Sequence, residues 1–477
     1  MKINKKIGIF MLASIVCISS VKITSHAEYQ YRENIAVYVD GEEKCEIMAL
    51  EDSYANNNYI SLRGLAYALN GTAKQFRPSV GSSEIDIATG KGFDEEPCTW
   101  EEDEKLDHSK ISLLKNDLEV DGNERKYFSF IGSIADGEKD AFFEPVVLSM
   151  MLDLDIIMEG NKIEVNTNNG YMVTCMDMEN SGYLQGINTL VVGDASTGEI
   201  YYSYAGTTSF PIASTTKLMT YLCVMDAVKA GEISLDDTAT VPSKAAVISR
   251  TSDGVIPMNE GDTATMMDLL KGLLIQSSNE CAITLATHVC GSEEAFVERM
   301  NDKASELGLI DSKFYNSNGL PVYEDQIVPA KIQNYMTGEE MFVMVSEIVD
   351  TYPEVMDITS IKKETLASFG QEVKNTNAVL FNVDEVRGLK TGTTKRSGAC
   401  LVTCAPVEKD GEIHNLVCVL LGAEAEIGRA EASEMAMRYA INKLQGTAVD
   451  TQKAAEDIPK NPELVIQKLI RNMDTAK

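Results

Sequence analysis

Histidine is scarce in this chain, four residues in 477, and His26 lies in a segment expected to be removed. A zinc hydrolase or a histidine-based triad is hard to assemble from so few imidazoles. Basic residues are also short, 42 against 73 acidic, for a net charge of −31. That balance excludes nucleic-acid binding, because no segment supplies the basic surface that phosphate neutralisation requires. After residue 30 there is no apolar run near the roughly 20 residues that span a bilayer, so a polytopic membrane protein is excluded too. A disulfide framework is missing as well. Cys45, Cys98, Cys175, Cys223, Cys281, Cys290, Cys400, Cys404 and Cys418 are scattered and odd in number, and buried thiols are the expectation for them. Cys400 and Cys404 share a predicted strand, but no nearby histidine completes a metal set.

What is present is a chain long enough for about three domains, with 44% hydrophobic and 24% charged residues, an ordinary globular balance. Residues 1–27 read as a secretory signal. Lys2, Lys5 and Lys6 precede an apolar stretch over residues 7–21, and Ser25-His26-Ala27 offers small residues for cleavage after Ala27. The chain is therefore expected to be exported, and to stay tethered to the membrane if the signal is not cleaved.

Residues 28–170 fall into two weakly similar halves offset by about 80 residues. Each has a Val-Asp-Gly turn (Val39-Asp40-Gly41; Val120-Asp121-Gly122), then a helical pattern (60–70; 142–154), then a short alternating strand (Ile85-Asp86-Ile87; Ile163-Glu164-Val165). A duplicated ββαβ-like unit is predicted. Between the halves, residues 94–107 carry eight acidic side chains against Lys105 alone. They lack the glycine-punctuated spacing of a calcium loop and are read as a solvated connection. From 172 to 445, strands such as Thr189-Leu190-Val191-Val192 and Leu416-Val417-Cys418-Val419-Leu420-Leu421 flank long helical stretches, predicting a multidomain α/β or α+β chain. Residues 446–477 form a polar tail.

Three short motifs occur in order: Ser214-Thr215-Thr216-Lys217, Ser277-Ser278-Asn279 and Lys390-Thr391-Gly392. Ser-x-x-Lys alone is weak, since it recurs at Ser19/Lys22, Ser112/Lys115 and Ser360/Lys363. The ordered set is much more specific, being the order required in active-site serine penicillin-recognising enzymes. A helix over residues 211–231 would place Ser214 in its first turn and Lys217 on the same face. A serine hydroxyl needs a base, and a lysine near its usual pKa of about 10.4 cannot serve. Burial, a second cation at Lys390 and the helix dipole would each lower it. Ser277 could relay a proton and Asn279 could bind a peptide carbonyl. Gly392 clears space for substrate backbone, and Lys390, Thr391 and Thr393 offer a cation and hydroxyls to a carboxylate.

Two resemblances follow from these residues. The stretch Asn58-Tyr59-Ile60-Ser61-Leu62-Arg63-Gly64-Leu65-Ala66 resembles the stalk-like domain named after the copper amine oxidase amino terminus, with no copper expected because His108 is the only nearby histidine. From about Tyr183 to Leu444 the chain resembles the serine-type D-Ala-D-Ala carboxypeptidases among the low-molecular-mass penicillin-binding proteins. The match extends to Phe314-Tyr315-Asn316-Ser317-Asn318-Gly319-Leu320-Pro321 and Gly388-Leu389-Lys390-Thr391-Gly392-Thr393-Thr394.

That second resemblance implies the transpeptidase fold shared with β-lactamases, Ser214 as nucleophile, Lys217 as base and Ser277 as proton relay. It implies substrate binding by Asn279, Lys390, Thr391, Gly392 and Thr393, and an oxyanion hole from the N–H groups of Ser214 and Thr393. Peptidoglycan stem peptides are the implied substrate and β-lactams the implied covalent inhibitors, with no metal or organic cofactor and with possible cell-wall contact through the amino-terminal repeats. Ser278 and Glu280 stand where the family usually has Gly and Asp, and Arg387 where Asp is common. The rival readings are a serine β-lactamase, for which Glu306-Leu307-Gly308-Leu309-Ile310 is the nearest approach to a deacylating segment, and an inactive wall-binding protein.

Overall fold

The computed structural model describes residues 29–31, 34–52, 57–97, 99, 111–115, 117–133, 138–174, 178–179, 183–251, 253–323 and 331–446. The predicted signal, nearly all of the polar tail and much of the acidic connection lie outside these residues. Among the described residues no helix is long and apolar enough to cross a membrane.

In the amino-terminal module, β2 (Ile35–Val39) and β3 (Glu42–Ile47) turn at Asp40-Gly41, and β9 (Asp117–Val120) and β10 (Asn123–Arg125) turn at Asp121-Gly122. Both aspartates have φ of 51° and both glycines positive φ, a turn conformation that Asp and Gly tolerate better than other residues. The two copies do not fold separately. β14 (Lys162–Asn166) of the second copy lies parallel to β2 of the first, and β7 (Glu84–Thr89) of the first lies parallel to β9 of the second.

Each copy has thus handed its last hairpin to the other. Their remaining strands merge in a six-stranded sheet flanked by α1 (Leu62–Ala68) and α2 (Pro145–Leu152). A unit of this size with one short helix buries little apolar surface alone, and the exchange gives both halves a shared core.

The second half is built on a five-stranded antiparallel sheet. Its strands are β15 (Thr189–Asp194), β16 (Glu199–Tyr204), β17 (Gly388–Thr394), β18 (Gly398–Lys409) and β19 (Glu412–Ala423), in the spatial order β16-β15-β19-β18-β17. The central strands are buried on both faces, which explains the unbroken apolar run 416–421. Val191, Val417, Val419 and Leu421 pack into a helical lobe; Leu190, Val192, Leu416, Cys418 and Leu420 pack on the opposite side, where the long carboxy-terminal helix lies.

The helical lobe contains α3 (Lys217–Lys229), α4 (Met266–Leu274), α5 (Asn279–Cys290), α6 (Glu293–Glu306) and α7 (Gly338–Thr351). The short α8 (Val379–Asn382) precedes β17, and α9 (Glu426–Leu444) crosses the far face of the sheet. Five of the described cysteines (Cys223, Cys281, Cys400, Cys404 and Cys418) are buried and free.

Candidate active site

The three motifs converge where the edge strand β17 meets the helical lobe. Ser214 lies in a 3-10 turn, Ala213–Thr216, that runs directly into α3, so the chain is wound more tightly at the serine than a plain α-helix. Ala213, just before it, has φ of 47°. Gly319 lies against this bend: a Cβ there would sit 2.0 Å from the Ala213 carbonyl oxygen, and its own φ is 88°. Only glycine fits.

Lys217 is fully buried, and its Nζ donates to Ser214 Oγ at 2.9 Å, Asn279 Oδ1 at 2.8 Å and the Asn318 carbonyl at 2.7 Å. None of these acceptors carries a charge. Burial therefore dominates and pulls the lysine pKa down to about 7, against an opposing push from the Glu280 carboxylate. An ammonium at that pKa gives up its proton near neutrality, which a base for Ser214 must do.

Asn279 begins α5 with both of its side-chain groups engaged, Oδ1 by Lys217 and Nδ2 at 2.7 Å from the Asp253 carbonyl. In this arrangement it holds the lysine, and its amide would reach a substrate carbonyl only by exchanging Asp253 for it. Ser277 is half-buried in the turn before α5 at φ 65°, and Lys217 does not hydrogen-bond it.

The departures from the family pattern have local explanations. Ser278 is the N-cap of α5, its Oγ accepting from Cys281 N at 3.1 Å. Glu280 is buried and accepts from the backbone N–H groups of Val255, at 2.7 Å, and Ile256. Arg387 turns back on its own loop, donating to the carbonyls of Asp384 at 2.6 Å and Val386 at 3.0 Å.

β17 forms the opposite wall. A Cβ on Gly392 would come within 2.8 Å of Ser214 N and 3.0 Å of Thr215 N, so this strand approaches the nucleophile turn backbone to backbone. Lys390 is 1% exposed and donates to its neighbour's carbonyl, Thr391 O, at 2.8 Å. Burial first, then repulsion from Lys217 and Arg429, hold its pKa well below the ordinary lysine value. Thr391 Oγ1 lies 2.5 Å from Thr376 Oγ1, and Thr393 is exposed.

Two contributors carried no motif role. The Asn318 carbonyl completes the shell around Lys217; its loop is held by Asn334, which accepts from Tyr315 N at 2.7 Å and donates to Asn316 O at 2.9 Å. The loop resemblance pointed to this segment but not to the carbonyl. Arg429 on α9 is 6% exposed and donates to Thr393 Oγ1 at 3.2 Å. It lies 36 residues beyond Thr393 in the chain, and only the packing of α9 across the sheet brings the two together. Lys217, Lys390 and Arg429 thus place three buried basic groups around Ser214 in a chain of net charge −31, with neutral acceptors for the hydrogen bonds above. With Lys217 able to shed its proton near neutrality, Lys390 and Arg429 are the two of these groups left to favour an anionic ligand.

The family model described as D-alanyl-D-alanine carboxypeptidase matches residues 186–425, half of the chain and the half that contains these groups apart from Arg429, which lies four residues beyond it. The chain belongs to that family.

Among curated relatives, the D-alanyl-D-alanine carboxypeptidase DacF of Bacillus subtilis is 28% identical over 248 residues, covering 51% of this chain and 60% of that protein. The D-alanyl-D-alanine carboxypeptidase DacC of Escherichia coli is 33% identical over 231 residues, covering 48% and 54%. The chain therefore spans less than two thirds of either relative. Among solved structures, the peptidoglycan synthesis regulatory factor PBP3 of Streptococcus pneumoniae overlaps with a TM-score of 0.49 at 26% identity, covering 55% of this chain and 72% of that one.

Proposed function

We propose that this protein removes the terminal D-Ala from peptidoglycan stem peptides through a Ser214 acyl-enzyme. The observation that carries the reading is the fully buried Lys217 amine 2.9 Å from Ser214 Oγ, with uncharged partners and a pKa pulled to about 7. Neutral Lys217 takes the Ser214 proton as Oγ attacks the carbonyl of the penultimate D-Ala. The tetrahedral oxyanion is assigned to the N–H groups of Ser214 and Thr393. The C–N bond then breaks, and the proton held by Lys217 passes to the departing D-Ala nitrogen, with Ser277 as the relay. Water hydrolyses the ester and restores Ser214.

Lys390, Thr391 and Thr393 bind the terminal carboxylate, joined in this reading by Arg429. Gly392 leaves room for the substrate backbone beside the serine, and Asn279 orients the lysine. β-Lactams would acylate the same serine and persist as inhibitors. A β-lactamase reading has less support: Glu306, at the end of α6, pairs with Lys303 at 3.3 Å, whereas the group bonded to Ser214 Oγ is Lys217. We assign the protein to the exported, cell-wall-facing side of the membrane on the strength of residues 1–27 and the substrate.

The test is intact mass after mixing with excess benzylpenicillin, with Ser214→Ala alongside, followed by a D-Ala release assay. A lasting one-to-one adduct and D-Ala release, both lost in the variant, are expected. Rapid penicillin turnover without an adduct would move the assignment to a β-lactamase, and neither event would move it to a wall-binding protein.

A further inference from the structure

One apolar core runs from the amino-terminal module into the second half: Ile131, Val147 and Leu154 belong to the same buried cluster as Leu190, Leu401, Ala436 and Leu444. Polar contacts across this junction include those of Arg125, the last residue of β10, and of Lys126 and Tyr127, which lead from it into the six-stranded sheet. Arg125 donates to the Phe381 carbonyl at 2.7 Å and pairs with Asp384 at 3.3 Å. Lys126 N donates to Asn382 Oδ1 at 2.7 Å, and Lys126 Nζ lies 5.1 Å from the centre of the Phe381 ring. Tyr127 Oη donates to Glu434 Oε1 at 2.6 Å, and Asn382 Nδ2 donates to Glu434 Oε2 at 2.9 Å.

These bonds close a ring through Lys126, Asn382, Glu434 and Tyr127, with Tyr127, Asn382 and Glu434 all buried. Burial and the neighbouring Glu434 push the Tyr127 phenol well above its ordinary pKa, so it stays a donor. Arg438, one turn along α9, pairs with Glu434 at 2.9 Å. The carboxylate thus has a charge partner on its own helix, and its two other bonds reach α8 and the amino-terminal module. A buried network of this kind has one satisfied geometry and a high cost for any other.

The ring grips the two elements that carry the anion-facing groups. Asn382 ends α8, and six residues later the chain enters β17, which carries Lys390. Glu434 stands five residues after Arg429 on α9, about 7.5 Å along the helix axis.

We propose that the amino-terminal module is a working part of the active site, its Arg125-Lys126-Tyr127 strut setting the positions of the Lys390 strand and of Arg429 relative to Ser214. This rests on the site reading given above and replaces a detachable spacer with a positioning element. A spacer needs neither a continuous core nor a buried carboxylate shared between the two halves.

The test uses the full chain. Tyr127→Phe, Arg125→Gln and their combination are compared with wild type and Arg429→Gln, alone and together. Readouts are fluorescent-penicillin acylation, kcat and KM for D-Ala release from a peptide ending in D-Ala-D-Ala, and thermal melting. The double strut variant is expected to lose about tenfold in kcat/KM, mainly through KM. Added to Arg429→Gln it should cost much less than that factor, because both act on one carboxylate contact.

Unchanged kinetics below the melting temperature, or losses that multiply in full with Arg429→Gln, would reduce the strut to a stabilising contact. If the double variant fails to fold, Tyr127→Phe alone, which removes a single hydroxyl, decides between the same outcomes. A wild-type protein that neither acylates nor releases D-Ala would instead overturn the active-site reading, and the strut with it.

Discussion

In the amino-terminal module one hydrogen-bond pattern is built twice. Asp40 accepts from Thr167 N at 2.9 Å and Oγ1 at 2.5 Å, and Asp121 accepts from Thr89 N at 2.8 Å and Oγ1 at 2.5 Å. In each case the aspartate belongs to one copy and the threonine to the other. Around Ser214 the contacts are single: Lys217 has three different acceptors, supplied by the nucleophile turn, α5 and the Asn316–Gly319 loop segment. Duplication of a unit reproduces contacts whose geometry is internal to a pair of turns. It does not produce a reacting serine, which needs groups of different chemistry brought from separate elements to one point.

The largest effect should come from the unrepeated side of this contrast. Ser214→Ala should abolish both the penicillin adduct and D-Ala release while leaving the circular dichroism spectrum unchanged. Lys217→Met should slow acylation by roughly 10²–10⁴-fold, the usual contribution of a positioned base, as read by stopped-flow acylation. Residual acylation near the wild-type rate in the lysine variant would assign the base elsewhere.

Next in size is pH. The base is active when neutral, so acylation should rise with pH through about 7 and level off above it. Stability should follow the same sign. The unfolded lysine keeps its proton to about 10.5 whereas the folded one loses it near 7, so unfolding binds a proton between these values and the destabilising contribution of the buried amine shrinks as pH rises across that window. Glu280→Gln sharpens the point: removing a carboxylate that raises the Lys217 pKa should move the rising limb of the acylation profile to lower pH. An upward shift would contradict the assigned electrostatics.

The smallest effects belong to the duplicated turns. Asp40→Asn and Asp121→Asn should lower the melting temperature slightly and about equally, with acylation unchanged at temperatures well below melting. Their threonine partners hold both carboxyls below the ordinary aspartate pKa, so this contribution is present above about pH 3.8 and is lost as pH falls through the depressed values. Unequal losses would break the equivalence of the two turns.

Local signals in the chain were legible where one segment suffices. Val-Asp-Gly marked both hairpin turns because residue type restricts φ. The ordered Ser-x-x-Lys, Ser-x-Asn and Lys-Thr-Gly motifs marked the site because Ser214 and Lys217 meet within one helical turn. The run 416–421 announced a strand covered on both faces. Exchange of hairpins between copies was not legible, since an intact copy and a swapped one have the same periodicity.

By itself, then, the sequence determined the family and the Ser214–Lys217 pair proposed as nucleophile and base, all carried by short spacings that fix side-chain proximity through helix and strand geometry. Tertiary structure alone decided that Lys217 is enclosed by the Asn318 carbonyl and Asn279, which lowers its pKa through desolvation. It also decided that Arg429 reaches Thr393 from another layer and that Tyr127 meets Glu434, residues 307 positions apart. Burial and long-range contact depend on how whole elements pack, and no spacing along the chain encodes them.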